Sequence, residues 1–412
     1  MDSFEYNSGR LCCEGVTLEQ VAREVGTPVY VYSEAAIRRQ VELFSESFKQ
    51  VPHLICYAVK ANSNLSVVRR LAQWGAGFEI VSGGELFRVL KAGGSSSKVV
   101  FDGPGKTVEE IRYALESEIL FFNVESAAEA ELIATTARAM GKRARVSLRT
   151  NPDVDPGTHP YISTGMKEHK FGIALEEAEA LYVKLRNTPE IEVVGVTCHI
   201  GSQITQLEPY REAVESLRVF VKRLQNQGIP LRYLDFGGGL GIAYDGEEPP
   251  SASCYADLVI GATKDLGLTL ILEPGRVIVG NAGVLLTRVT FIKDQGSKRF
   301  IIVDAGMNDL MRPALYGSHH QVWSVSQKKS TQIADLVGPI CESSDFIARN
   351  RELPAFEPGE LAAVMSAGAY GFSLSSNYNS RPRVPEVLVS GDTYEVIRRR
   401  ETYDDLIRLE QP

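Results

Sequence analysis

The chain has 412 residues, 44% of them hydrophobic, enough for at least one large core. Lysine and arginine total 44 against 52 acidic residues, a net charge of -8, which argues against a dedicated nucleic-acid binder. No apolar run reaches the roughly 18 residues a membrane span needs, and the start, Met1-Asp2-Ser3-Phe4-Glu5, has no signal-peptide pattern. The six cysteines (12, 13, 56, 198, 254 and 341) show no Cys-x-x-Cys spacing, so a reduced cytoplasmic protein is expected. The six histidines lack a His-Glu-x-x-His spacing, and His319-His320 in a strand would point to opposite faces. No metal site is expected.

Residues 1 to 33 read as a short strand and helix, then a strand, Val29-Tyr30-Val31-Tyr32. Ser33 is placed to cap a helix from Glu34 to about Gln50. From Leu54 short β-forming runs alternate with helical patterns. The runs are Ile55–Val59, Gly77–Val81, Lys98–Phe101, Ile119–Asn123, Ala144–Arg149, Glu192–His199, Leu231–Phe236 and Leu268–Glu273. Helical patterns such as Leu65–Trp74, Ser126–Ala139 and Glu208–Gln227 lie between them. Such alternation implies parallel pairing with right-handed crossovers. Eight units over about 220 residues predict a closed (β/α)8 barrel of the TIM type, with an open doubly wound sheet as the alternative. The first unit lacks Gly-x-Gly-x-x-Gly, which counts against a dinucleotide fold.

After Gly275 the rhythm changes. Arg288–Lys293, Phe300–Val303, Gln321–Val325, Ile333–Val337, Leu361–Met365 and Val387–Val389 read as strands without long helices between them, separated by turn signals. The fold class expected is therefore α/β: a barrel over 28–280, with 1–27 and 281–412 forming a β-rich domain.

In such a barrel the loops at the carboxyl ends of the strands build the site. Reading those ends in order gives Lys60, Glu79 with Ser82, Arg149, His199 with Ser202, Gly237-Gly238-Gly239, and Glu273-Pro274-Gly275-Arg276. Lys60 would share a strand face with the small residues Ala58 and Cys56, leaving room for something flat beside its amine. Glycines after the seventh and eighth strands sit at the usual phosphate site of these barrels, although a glycine run serves equally as a tight turn. A lysine, an anion cradle and a carboxylate together fit pyridoxal phosphate, which needs an amine, a phosphate site and a partner for its ring nitrogen. Glu273 reads either as that partner or as an ion pair with Arg276. His199 reads as a ring-stacking residue or a structural one. Glu79 and Arg149 read equally as ordinary ion pairs.

Several stretches carry a recognisable pattern: Tyr57-Ala58-Val59-Lys60-Ala61-Asn62, Asn151-Pro152-Asp153-Val154, Lys170-Phe171-Gly172, His199-Ile200-Gly201-Ser202-Gln203, Gly237–Gly241 and Glu273-Pro274-Gly275-Arg276. Arg312-Pro313-Ala314-Leu315-Tyr316, Cys341-Glu342-Ser343 and Gly368-Ala369-Tyr370-Gly371 continue it. In this order the chain resembles the fold-type III pyridoxal-phosphate decarboxylases, related to alanine racemase in the barrel, and within them the branch acting on diaminopimelate. His169 is a mild departure that touches no assigned role.

The resemblance implies that Lys60 carries pyridoxal phosphate as a Schiff base; Glu79, from its place at the next strand end, is expected to pair with Lys60 or steady its proton. It implies that Ser202, Gly238, Gly239, Gly275 and Arg276 lie at the phosphate end, Glu273 at the pyridine nitrogen, His199 on the ring, and Tyr370 against cofactor and substrate. Arg276, Arg312 and Tyr316 would hold the distal carboxylate of the substrate and Glu342 its distal ammonium. Cys341 would return a proton to Cα after CO2 leaves. The implied partners are a small-molecule substrate and a second copy of the chain, in a homodimer with shared sites, and neither nucleic acid nor membrane. The expected reaction is decarboxylation at the D-centre of meso-2,6-diaminopimelate, giving L-lysine, the last step of lysine biosynthesis. The alternatives are relatives acting on carboxynorspermidine, ornithine or arginine, then a racemase or a non-catalytic regulator. Paired Arg276 and Arg312 speak against a simple cationic substrate tail, Glu273 against a racemase, and the presence of both Lys60 and Cys341 against a regulator.

Overall fold

A computed structural model describes residues 4–157 and 170–411. His169 lies outside the described residues. The chain divides into two compact units.

The first unit spans 40–242 and 248–277. Its eight main strands are His53–Ala58, Gly77–Ile80, Val99–Phe101, Phe121–Val124, Ala144–Asn151, Ile191–Cys198, Tyr233–Asp235 and Thr269–Leu272. All pair in parallel, each with its neighbour in the chain, and the eighth returns to the first through Leu270 against His53. That closure makes a (β/α)8 barrel and removes the sheet edges an open sheet would leave. The short strand Ile173–Ala174 adds to the side of the fifth strand. The connecting helices carry apolar stripes, and several are capped by a side chain at the N-terminus. Ser82, Thr107 and Ser126 each accept a backbone N–H from the first turn of their helix.

The barrel interior is layered. At the amino ends of the strands Cys56, Val100, Leu120, Phe121, Val194 and Ile271 form a buried apolar cluster. Above it the inward positions turn polar: Asn123, Ser147, Thr197 and Asp235 are all fully buried. Asn123 Nδ2 donates to Asp235 Oδ2 at 3.2 Å, the Thr197 hydroxyl bonds Asn123 Oδ1, and Ser147 and Thr197 share a bond of 2.7 Å. Each polar side chain in this layer finds its partner within it, which removes the penalty of burying it.

The second unit spans residues 1–39, 243–247 and 278–412. Its main path runs Phe346–Pro354, Thr331–Val337, Lys298–Val303, Gly283–Gln295, Val29–Ser33, Glu386–Ser390, Thr393–Arg398. Val322–Ser324 and Leu361–Val364 pair beside the long strand Gly283–Gln295. Val29–Ser33 is fully buried and sits between Gly283–Leu286 and Glu386–Val389. The expected barrel boundary at 28 therefore differs from the observed one: this strand belongs to the β-rich unit. Before the first helix three short strands, Phe4–Asn7, Arg10–Cys13 and Val16–Thr17, stand where one was expected. Among the strands that escaped the sequence reading are two of the main sheet. Phe346–Pro354 carries Arg349, Asn350 and Arg351 in its middle, and pairs through two register irregularities. Thr393–Arg398 is largely exposed and shows little alternation.

Among the described residues no helix is long and apolar enough to cross a membrane.

Candidate functional site

Three features of the barrel unit bring titratable groups together at the carboxyl ends of its strands. The first strand stops at Ala58, and Lys60 lies in a 3-10 turn over Val59–Ala61 rather than at the strand end as expected. Cys56, expected on the face of Lys60, joins the buried interior cluster. The Lys60 ammonium bonds both oxygens of Glu79, at 2.6 and 2.5 Å. Glu79 is wholly buried while the Lys60 side chain keeps 39% of its surface exposed.

Carboxyl groups crowd beneath that amine. Glu79, Asp102 and Glu273 offer oxygens within 4.8 Å of one another, all buried. Lys60 faces them through its bonds to Glu79, and Arg149 and Lys106 act on Asp102 as well. Burial pushes Glu79 up to about 7, with Lys60 pulling the other way and Asp102 and Glu85 adding to the rise. Burial also raises Glu273 well above the carboxylate range, reinforced by Asp102, Asp235 and Glu79. Asp235 rises to about 7 for the same reason, burial first and then Asp102. Asp102 goes the other way: burial opposes its charge, but Arg149, Lys60 and Lys106 together hold it below its ordinary value. Asp235 pairs with Ile271 across the seventh and eighth strands, so Glu273, two residues on, faces the same interior. The Asp235 carboxyl adds to the rise of Glu273, whose Oε1 is buried without a hydrogen-bond partner. Like charges this close do not both ionise, so the pair keeps a proton at neutral pH.

Arg149 is anchored rather than presented. Its guanidinium bonds Glu125 at 3.1 Å and lies 4.8 Å from the centre of the Phe171 ring, so the ion-pair reading holds. Lys106, also buried, ties Gly103, Asn123 and Glu129 at 2.7 Å each.

His199 follows the sixth strand. Gly238 N–H donates to His199 Nδ1 at 3.1 Å, which leaves the ring proton on Nε2. Burial, then Arg149 and Lys60, press the imidazole down to about 3, so the ring stays neutral. The glycine run is required by packing. A Cβ on Gly238 would meet the Glu273 carbonyl oxygen at 2.2 Å, and one on Gly239, at φ +102°, would meet Gly201 O at 2.3 Å. Ser202 accepts from Arg276 Nη2 at 3.0 Å, and Arg276 opens the short helix Arg276–Val279 just after buried Gly275.

The second unit holds the remaining expected residues. Arg312 is buried at the start of the helix Arg312–Tyr316, with its guanidinium 4.6 Å from the Tyr244 ring centre. His320 donates from Nδ1 to the Met365 carbonyl at 2.8 Å, so its Nε2 accepts from Arg312 at 2.9 Å. His319 instead meets Asp245 at 3.2 Å. The two histidines precede the strand Val322–Ser324 instead of lying in it. Cys341 and Glu342 are exposed on one loop. Tyr370 adopts φ +55° between glycines that packing demands. A Cβ on Gly368 would meet Val279 O at 1.9 Å, and one on Gly371 would meet Ala367 O at 2.5 Å.

The residues present suit pyridoxal phosphate: a lysine with a partly exposed side chain, a buried carboxyl oxygen with no partner, a neutral imidazole and a glycine turn too tight for side chains. Comparison with known proteins decides the family. Residues 34–280 match the pyridoxal-dependent decarboxylases, pyridoxal binding domain. A diaminopimelate decarboxylase from Pseudomonas aeruginosa is 54% identical over 407 residues, 98% of each chain. The chain belongs to the diaminopimelate decarboxylases. The Haemophilus influenzae diaminopimelate decarboxylase is 49% identical over 413 residues, covering 100% of this chain and 99% of its own. The crystal structure of diaminopimelate decarboxylase from Helicobacter pylori complexed with L-lysine superposes with a TM-score of 0.93 at 45% identity, covering 95% of this chain and 98% of that one. That from M. jannaschi gives 0.95 at 40% identity, over 100% and 98%. A diaminopimelate decarboxylase is a pyridoxal-phosphate-dependent carboxy-lyase of lysine biosynthesis, and the barrel described above is its pyridoxal-binding domain.

Sequence reasoning missed Asp102, Asn123, Glu125 and Asp235. The signal was there: Asp102 directly follows Val99-Val100-Phe101, and Asp235 ends Tyr233-Leu234. A lone acid after an apolar strand marks the same end of the barrel as Lys60.

Proposed function

We propose that this decarboxylase acts on the D-centre of meso-2,6-diaminopimelate and releases L-lysine. The reading rests on Lys60, whose ammonium bonds both oxygens of buried Glu79 at 2.5 to 2.6 Å while its side chain keeps part of its surface exposed. Bound pyridoxal phosphate supplies an electron sink for the carbon that loses CO2. Lys60 is the amine that holds the cofactor, and Glu79 sets the charge of that amine. Glu273 holds a proton against the pyridine nitrogen, and its unpartnered Oε1 supports this role. His199 covers one ring face as a neutral imidazole. Ser202, Gly238, Gly239, Gly275 and Arg276 receive the phosphate.

The substrate has an amino-acid head group at each end. Arg276, Arg312 and Tyr316 hold the distal carboxylate, for which a planar guanidinium is the natural partner. Glu342 holds the distal ammonium, Tyr370 contacts cofactor and substrate, and Cys341 delivers the proton to Cα. Two copies of the chain assemble as a homodimer in which Cys341 and Glu342 serve the partner's cofactor, and the enzyme works in the cytoplasm. L-Lysine, bound in the Helicobacter pylori relative, is the product expected here.

The test is CO2 release by the cofactor-loaded protein from meso-diaminopimelate, its L,L isomer, ornithine, arginine and carboxynorspermidine side by side. Release from the meso isomer alone, with lysine formed, is the expected result. Release from another of these substrates overturns the distal assignments. Lys60→Ala should abolish both turnover and covalent cofactor attachment; full activity in that variant would overturn the reading.

A further inference from the structure

The loop that carries Cys341 and Glu342 is held by one turn, Asn377–Ser380. Tyr378 donates its hydroxyl to Glu342 Oε1 at 2.5 Å, and Ser344 donates to Oε2 at 2.9 Å. The next residue, Asn379, accepts the backbone N–H of Cys341 on its Oδ1 at 2.8 Å. Asn379 and Ser380 both take φ +54°. Two successive side-chain-bearing residues in the left-handed region persist only where their surroundings fix them. Those fixings are present: Asn377 Nδ2 donates to Glu401 Oε2 at 2.6 Å and to Arg381 O at 3.1 Å. Glu401 Oε2 also accepts Arg383 N–H at 2.8 Å.

We propose that Tyr378 and Asn379 are positioning residues, Tyr378 aiming the Glu342 carboxylate at the substrate's distal ammonium and Asn379 fixing the backbone of Cys341. The proposal rests on the roles given to Glu342 and Cys341 above. Both oxygens of Glu342 are engaged from the protein side, so its direction is set before any ligand arrives. The ammonium then meets a carboxylate whose rotamer entropy is already spent, which is how preorganisation raises affinity. The hydroxyl of Tyr378 first, and that of Ser344 second, hold the Glu342 carboxyl below its ordinary range, so it stays ionised. A carboxylate that is merely exposed needs neither donor, because water serves it as well.

The experiment uses cofactor-loaded protein and diaminopimelate, with Tyr378→Phe, Glu342→Gln and the double variant. Tyr378→Phe should raise KM about three- to tenfold with kcat within about twofold, and should add nothing in the Glu342→Gln background. An unchanged KM, or the same rise in both backgrounds, overturns the role of Tyr378. If Glu342→Gln itself leaves KM unchanged, the ammonium assignment fails, and that result is separate from the first. Asn379→Gly accepts the left-handed backbone but loses the amide; it should lower kcat about tenfold while KM holds, and Asn379→Asp, which keeps an acceptor, should restore it. Normal kcat in Asn379→Gly overturns that half. Low kcat in Cys341→Ala beside normal kcat in Asn379→Gly leaves the thiol's role standing without it.

Discussion

The Lys60 ammonium lies 2.6 and 2.5 Å from the two carboxylate oxygens of Glu79, a side chain with no exposed surface. Burial raises Glu79 to about 7, against an ordinary 4.5. A raised carboxyl contributes stability that is complete below 4.5 and is lost as pH climbs through 7. On this account alone cofactor-free protein should lose stability between pH 5 and 8, and Glu79→Gln should show a shallower slope, keeping the share that Asp235 and Glu273 contribute. Urea midpoints at the two pH values check it; parallel losses in both proteins would place the slope elsewhere.

His199 titrates in the opposite sense. Its folded value is about 3 against an ordinary 6.5, so its contribution is present above 6.5 and fades as pH falls toward 3. Between pH 7 and pH 5 the cofactor-free protein should lose about 2 kcal/mol on this account. His199→Asn should lose correspondingly less over the same interval, measured by urea unfolding.

Gly238→Ala places a methyl 2.2 Å from the Glu273 carbonyl oxygen, a backbone atom that cannot swing aside. The strand ends must spread, at about 1–3 kcal/mol. A lower Tm and weaker cofactor uptake, followed by absorbance, are expected together.

Cys341→Ala should bind cofactor normally, because its loop lies outside the barrel unit, yet turn over about 10²–10⁴-fold more slowly. Near-normal turnover would return Cys341 to the status of an ordinary exposed thiol.

The alternation of apolar runs with amphipathic helices sufficed to predict the barrel, because parallel strands need crossovers and eight crossovers close. It also placed Lys60, Glu79, His199 and Glu273 at one end, since each directly follows or ends an apolar run. The strand Val29–Ser33 could not be assigned that way. Five consecutive buried residues fit either unit, and only pairing with Gly283–Leu286 and Glu386–Val389 decides. The charge states were equally hidden. Asp102, Asp235 and Glu273 are distant in the chain, and only the closed barrel brings them within reach of one another. Likewise nothing in Asn377-Tyr378-Asn379 announces its hold on Cys341-Glu342, because hydrogen bonds across 36 and 38 residues depend on the folded backbone. Residue chemistry and period are local properties, and the sequence by itself determined them. Which oxygens stay charged, and which donor reaches which acceptor, are set by distance and burial, and those only the tertiary structure decided.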